Sequence, residues 1–340
     1  MNILIISDGV PGHENQSIGL VELLQRQNGK IKYELVRFKL KMKWMRYLLA
    51  MALNQHAKIA ALFIKLIYRF QTGIDFTHYD LIISTGGNTS FFNAYCGSTK
   101  LLKNIFIGSL RNLQPHLFSA ILTLEDLGVK NNVVMPLSPT RVTQAKVKES
   151  AKKYLESHAG AKNDLWLMIL GGNGGGCIYT QMDWINLANG MTALAQKYQI
   201  QWLITTSRRT ELSNEKILQK LIPQDIIFEA VWYNQKPEKV MLPFLGLASK
   251  VFCTIDSMSM VTESISSGNH TLVMSPESYQ PTDRFEQAIM RFEAAGFIQT
   301  DTLKNLSKIQ FSTSSLSSSS KPSNFDQALK NLADTVMRLI

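Results

Sequence analysis

Short apolar runs bounded by polar loops recur along the chain. Between them lie longer stretches with an apolar residue every three or four positions. The runs read as buried strands and the stretches as amphipathic helices. In the first half the pattern predicts strands at 2–7, 31–38, 79–85, 104–108 and 118–123, with helices at 14–27, across 42–70 and at 88–97. The second half alternates more cleanly. Strands fall at 165–170, 201–206, 226–232, 251–255 and 271–275, and helices at 181–198, 211–221, 238–248, 258–267 and 283–295. Such alternation predicts an α/β protein with doubly wound parallel sheets, its strand C-termini and their loops gathered along one edge. The first run, Ile3 to Ile6, is closed by Ser7-Asp8-Gly9 and is too short for the core of a leader, so it reads as a first buried strand.

A chain of 340 residues predicts about two domains. The expected division is an N-terminal Rossmann-like domain over 1–140, a lysine-rich helical connector over 141–163 and a second α/β domain over 164–311. A serine-rich linker over 312–323 and an amphipathic helix over 324–340, packing back on the first domain, complete it. Two such domains facing across a cleft would set their loops opposite one another, which makes the loops the place to look for chemistry.

Charge changes the picture in one region. The net charge is +10, and residues 30–70 hold ten lysines and arginines against Glu34 alone. Trp44, Met45, Tyr47, Leu48, Met51 and Phe63 are interleaved with them. A basic, aromatic-tipped amphipathic stretch suits an anionic membrane surface, although ordinary surface helices with a core-facing side give the same pattern. No nucleic-acid motif accompanies it, so no nucleic-acid partner is expected. No apolar window reaches a membrane span, and Cys96, Cys177 and Cys253 are too scattered for a disulfide framework or a zinc cluster. No metal site is expected.

Five loops at predicted strand ends carry the candidate chemistry. The first, Ser7 to Gln16, holds Asp8, Gly12, His13 and Glu14, a combination suited to proton transfer, although Asp8 and Asn15 would also serve as plain loop and helix caps. The second, Ser84 to Ser90, holds Gly86, Gly87 and Asn88, where a ligand can approach the backbone or where the chain simply turns tightly. Gly171 to Gly176 places five glycines in six residues and includes Gly172, Asn173 and Gly174. It is neither a dinucleotide fingerprint nor a Walker loop, and reads as a phosphate nest or a mobile loop. Thr205 to Thr210 offers Ser207, Arg208 and Arg209 to phosphate oxygens. Thr254 to Glu263 opens a helix with Ser257 and Ser259 placed for a diphosphate and Glu263 within reach of a ribose, against the plainer reading of helix capping by Asp256 or Ser257.

Taken together, DGVPGHENQ, STGGNTS, TTSRRT and TIDSMSMVTESISSGN resemble the mitochondrial-fission "elongated mitochondria" family, over roughly residues 1–300. That family is in turn similar to GT-B glycosyltransferases. The resemblance implies a GT-B-like fold of two Rossmann-like domains, a nucleotide sugar as substrate and no cofactor. Residues Gly12, Gly86, Gly87 and Asn88 would lie on the acceptor side. Residues Gly172, Asn173, Gly174, Ser207, Arg208, Ser257, Ser259 and Glu263 would lie on the donor side. His13 would be the base, oriented by Asp8 or Glu14. The expected activity is sugar transfer to a lipid-linked envelope glycan acceptor, with lipopolysaccharide core as one case, by a cytoplasmic protein docked on the inner membrane face through residues 30–70. A nucleotide-sugar epimerase of the same fold and a non-catalytic membrane adaptor are the alternatives.

Overall fold

A computed structural model describes residues 1–40, 45–55, 60, 63–64, 67–69, 75–100, 102–158, 163–311 and 325–340. The expected linker at 312–323 lies outside them, as do Lys41, Lys43, Trp44, Lys58 and Lys65 of the basic segment. Contacts divide the chain into two units, Met1–Arg141 with Asn324–Ile340, and Val142–Ser323.

In the first unit, β1 (Asn2–Ser7), α1 (Pro11–Gln25) and β2 (Lys32–Arg37) are followed by β3 (Lys39–Leu40), α2 (Arg46–Gln55) and β4 (Tyr68–Arg69). Then come β5 (Leu81–Thr85), α3 (Ser90–Lys100), β6 (Lys103–Ile107), β7 (Ala120–Thr123) and β8 (Asn132–Val134). The sheet is six-stranded, in the order β2-β1-β5-β6-β7-β8, and parallel throughout. Its central strands are apolar on both faces because helices cover both.

The stretch predicted as helix across 42–70 is helical at 46–55, but its end is not. Lys39 pairs with Arg69 and Leu40 with Tyr68 in an antiparallel two-residue ladder that closes the excursion at its root. Most apolar members of the basic segment serve the core: Met45, Leu49, Leu53, Ile64, Ile67 and Tyr68 are buried with Phe38, Phe91 and Phe92. The ordinary surface-helix reading thus accounts for that face. Tyr47, Leu48 and Met51 remain on the outside, Tyr47 at 71% and Met51 at 58% exposure.

The second unit begins with α4 (Gln144–Leu155), so the segment expected over 141–163 as a helical connector belongs to it from Val142 onward. Helix α4 lies so close to a later helix that a Cβ on Gly246 would strike the Val147 carbonyl. There follow β9 (Asp164–Ile169), β10 (Cys177–Ile178), α5 (Gln181–Tyr198), β11 (Ile200–Thr205), α6 (Leu212–Leu221), β12 (Ile227–Val231) and α7 (Met241–Leu247). The unit continues with β13 (Lys250–Thr254), α8 (Met258–Ser267), β14 (His270–Ser275), β15 (Ser278–Tyr279), α9 (Asp283–Ala294) and β16 (Ile298–Thr302). Its parallel six-stranded sheet runs β12-β11-β9-β13-β14-β16. Thr180 starts α5 with a capping box, its hydroxyl and the Asp183 carboxylate each accepting a backbone amide of the other.

Helix α10 (Phe325–Leu339) returns to the first unit and packs on α1, where Gln27 Nε2 donates to Asp334 Oδ1 at 2.7 Å. In each sheet the order reverses once, between β1 and β5 and between β9 and β13. Ligands of open α/β sheets bind beyond the strand C-termini at such a reversal.

Candidate functional site

The loops after β1 and β5 meet at the reversal of the first sheet. The Asp8 side chain is nearly buried, at 4% exposure, and its Oδ1 and Oδ2 lie 3.0 and 3.1 Å from Nδ1 of His13, whose side chain is 35% exposed. Asn88 Nδ2 donates to Asp8 Oδ2 at 3.2 Å, and the Val10 amide donates to Oδ1 at the same distance. Burial works against an ionised Asp8, but the hydrogen bond and charge of His13 outweigh it and hold the carboxyl below its ordinary value. Asp8 is therefore both loop cap and histidine partner. Asn88, expected to face a ligand, supports Asp8.

Gly86, at φ +91°, is the one residue type that fits beside this pair, since a Cβ there would run into the His13 ring. A Cβ on Gly87 would come 2.6 Å from Arg111 Nε, whereas Gly12 faces open space. Ser17 Oγ lies 2.7 Å from Thr85 Oγ1 and ties α1 to the end of β5. Tyr68 OH donates to the Asn88 carbonyl at 2.5 Å.

Glu14 has a different task from the one expected. Arg37 grips it with two hydrogen bonds, Nε to Oε1 at 2.7 Å and Nη2 to Oε2 at 3.1 Å, and Ser7 Oγ donates to Oε1 at 2.7 Å. The Arg37 hydrogen bond holds its carboxyl below the ordinary value. Glu14 fastens α1 to β2, and Asp8 is the carboxylate on His13.

In the second unit, loops after β9, β11, β12 and β13 converge. Asp256, with a fully buried side chain, forms an ion pair with Arg209 at 2.7 Å and accepts from Tyr179 OH at 3.2 Å. Burial pushes the Asp256 carboxyl above its ordinary value against the opposing pull of Arg209. The glycines of the 171–176 loop wrap this pair. A Cβ on Gly171 would strike the Asp256 carboxylate, one on Gly172 the Arg209 carbonyl, and one on Gly175 would lie 2.7 Å from the Asp256 carbonyl. Close packing within the protein thus explains those glycines without a phosphate. Asn173 Oδ1 accepts the Tyr179 amide at 2.8 Å, and the Gly174 amide donates to Cys177 O at 3.2 Å, so the donor-side residues Gly172, Asn173 and Gly174 are engaged in shaping the loop.

Three threonines lock the neighbouring turns. Thr254 Oγ1 accepts the Gly171 amide at 2.7 Å, Thr210 Oγ1 donates to Gly171 O at 2.6 Å, and Thr206 Oγ1 donates to buried Glu215. The two arginines part company here. Arg209 is a pin, whereas Arg208 is exposed and has no hydrogen bond or ion pair among the described residues. Arg208 and Ser207 line a pocket of about 440 Å³ with Thr206, Tyr233, Leu242 and Met260. Tyr233 and the 238–243 wall escaped the sequence reading. They follow β12, and their place after a strand end in a parallel sheet was the available signal.

Helix α8 begins beside Met260 of this pocket. Ser257 is its N-cap residue but makes no capping bond, and its hydroxyl lies 3.2 Å from that of Ser259. Neither Asp256 nor Ser257 caps the helix, so its first amides are open to an anion. On the next turn Glu263 is half-buried, with no hydrogen bond or ion pair among the described residues, and burial pushes its carboxyl up to about 7. Among the described residues no group of three His, Cys, Asp or Glu side chains is gathered to hold a metal ion, and no helix is long and apolar enough to cross a membrane.

Solved structures of the same architecture include Acinetobacter baumannii MurG, 11% identical with 99% of each chain covered and a TM-score of 0.55. The ADP-heptose lps heptosyltransferase II of E. coli is 12% identical, with 99% of this chain and 100% of that one covered and a TM-score of 0.50. The Methanocaldococcus jannaschii UDP-GlcNAc 2-epimerase, solved in complex with UDP-GlcNAc and UDP, is 11% identical over 99% and 100% of the chains, with a TM-score of 0.53. The fold is GT-B, an α/β architecture of two Rossmann-like units. No curated protein matches the chain by sequence. Residues 11–324 match the mitochondrial fission ELM1 family, and it is to this family that the chain belongs.

Proposed function

We propose that the protein is a GT-B glycosyltransferase that moves a sugar from a nucleotide-sugar donor to a lipid-linked glycan acceptor at the cytoplasmic membrane face, without a cofactor. The observation that carries the reading is the Asp8–His13 pair at the sheet reversal. With Nδ1–H donating to Asp8, His13 Nε2 holds the lone pair and takes the proton of the acceptor hydroxyl. The hydroxyl oxygen then bonds the anomeric carbon as the bond from that carbon to the diphosphate oxygen breaks, and the electron pair leaves on the diphosphate. Arg208, Ser257, Ser259 and the open amides of α8 stabilise that developing charge. Glu263 accepts the ribose hydroxyls. Tyr47, Leu48 and Met51, beside the basic residues of 30–70, support docking on an anionic bilayer. The M. jannaschii relative, bound to UDP-GlcNAc, is the reason to test UDP sugars first.

The test is thermal stability of wild type, His13→Ala and Glu263→Ala with UDP, GDP, ADP, CMP and their sugar conjugates. At a hundredfold excess over Kd a bound nucleotide adds about 2.7 kcal/mol. One nucleotide should stabilise wild type and His13→Ala but not Glu263→Ala, and His13→Ala should have lost turnover. Conversion of a free nucleotide sugar without acceptor would favour the epimerase. Membrane binding with no nucleotide response would favour the adaptor.

A further inference from the structure

Beside Asp8 and His13, the first unit holds a second group of polar side chains that the proposed chemistry leaves unused. A cavity of about 420 Å³, within the range of small-ligand sites, is lined by Arg46, Tyr47, Phe91, Ser109, Arg111 and Asn112. Residues bearing two guanidinium groups, two hydroxyls and an amide thus line one space, and none of them is acidic. Arg111 is exposed and makes no hydrogen bond or ion pair among the described residues. Arg111 and Asn112 lie at φ +52° and +68°, the left-handed region, which is strained for arginine and readily adopted by asparagine. Asn54 of α2 fixes that turn by donating to Asn112 O at 2.8 Å and accepting the Gln114 amide at 2.9 Å.

The cavity is close to the base. Gly86 abuts the His13 ring and the adjoining Gly87 abuts the Arg111 guanidinium, each with no room for a Cβ. One peptide step of about 3.8 Å therefore separates the neighbour of the base from the neighbour of the cation.

We infer that the Arg46–Arg111 cavity binds a phosphate or diphosphate ester of the acceptor, holding the acceptor by its anionic group while His13 takes the proton from its hydroxyl. An arginine fork such as that of Arg111 recognises phosphate oxygens through paired hydrogen bonds, and Arg46 adds a second positive charge to the lining. Tyr47, at the cavity rim and 71% exposed, gives an attached apolar chain a surface to follow outward. The inference rests on the acceptor reading above, and it predicts a binding event separable from that of the donor.

The experiment measures binding of inorganic pyrophosphate and of farnesyl diphosphate to the full chain by calorimetry, in an Arg208→Ala background that weakens the donor side, with excess of any nucleotide that binds that background present to occupy the rest of it. Arg111→Gln and Gly87→Ala are then added singly. The second keeps the arginine but pushes its guanidinium aside, so a folding defect in one variant leaves the other informative. Each should weaken pyrophosphate about tenfold or more. Tighter binding of farnesyl diphosphate than of pyrophosphate assigns the group to a lipid carrier, and equal binding assigns it to a soluble phosphate. Unchanged pyrophosphate affinity in both variants overturns the cavity as an anion site, whether or not UDP binds the wild type. Arginine-dependent pyrophosphate binding in a protein that no nucleotide stabilises upholds the cavity and removes the donor reading instead.

Discussion

Each unit keeps an aspartate beyond a strand that borders its sheet reversal, and the two are used in opposite ways. Asp8 is 4% exposed and joined to a histidine that is 35% exposed, and Asp256 is fully buried and joined to an arginine that is 32% exposed. Both side chains are shielded from solvent and each meets one basic partner, with Asp256 the more deeply buried. The difference is the partner. Histidine changes charge near neutral pH, so its carboxylate can orient an imidazole that accepts and returns a proton. Arginine does not lose its charge, so the same carboxylate there becomes a fixed post around which a glycine loop is wound. One topology thus holds a carboxylate–histidine pair in one half and a carboxylate–arginine pin in the other, with the exposed cation Arg208 beside it.

That contrast breaks if the substitutions below have the same effect in both units. The largest effect is expected from His13→Ala, which should lower transfer about 10²–10⁴-fold while the nucleotide response holds. Nucleotide release in the presence of acceptor measures it. Next, Arg209→Ala strands a buried carboxylate and should cost about 3 kcal/mol in urea unfolding. Arg208→Ala should stay within about 0.5 kcal/mol of wild type yet weaken binding of the proposed nucleotide. Equal stability losses for the two arginines would remove the distinction between pin and ligand group.

A pH series sharpens it further. Glu263 titrates at about 7 when folded, above its ordinary 4.5, so the folded state keeps its proton longer than the unfolded one. Its contribution to stability falls as pH rises from 4.5 to 7. Asp8, shifted downward, contributes stability above its ordinary value that is lost on acidification. Under the proposed donor reading Glu263 takes the ribose as a carboxylate, so nucleotide binding should weaken as pH drops below 7, and Glu263→Gln should flatten that profile. The smallest effect is Gly12→Ala, which faces open space in the first turn of α1 and should raise stability by about 0.5 kcal/mol.

Much of this was legible in the sequence because its signals are local. Central strands such as β5 and β13 are unbroken apolar runs, and Asp8 and His13 lie in one short loop. The edge strands β8 and β16 were not foreseen, since an edge strand buries little. Of β16 only Ile298 is fully covered. The two-residue ladder of β3 with β4 has no period to detect, so the excursion read as helix to its end. Roles within the site escaped for a different reason. Nothing local separates Arg208 from Arg209, or assigns Glu14 to Arg37 and Asn88 to Asp8, because each partner arrives from another strand end. Arg111 stayed invisible because its neighbour Gly87 is more than twenty residues away.

The returning helix α10 has a consequence for biosynthesis. Residues 325–339 belong with Met1–Arg141, and the whole second unit is made between them. A ribosome therefore finishes the second unit while the first still lacks a helix, and the half begun earliest is completed last. Until then the face of α1 that receives α10 waits without that partner on the nascent chain.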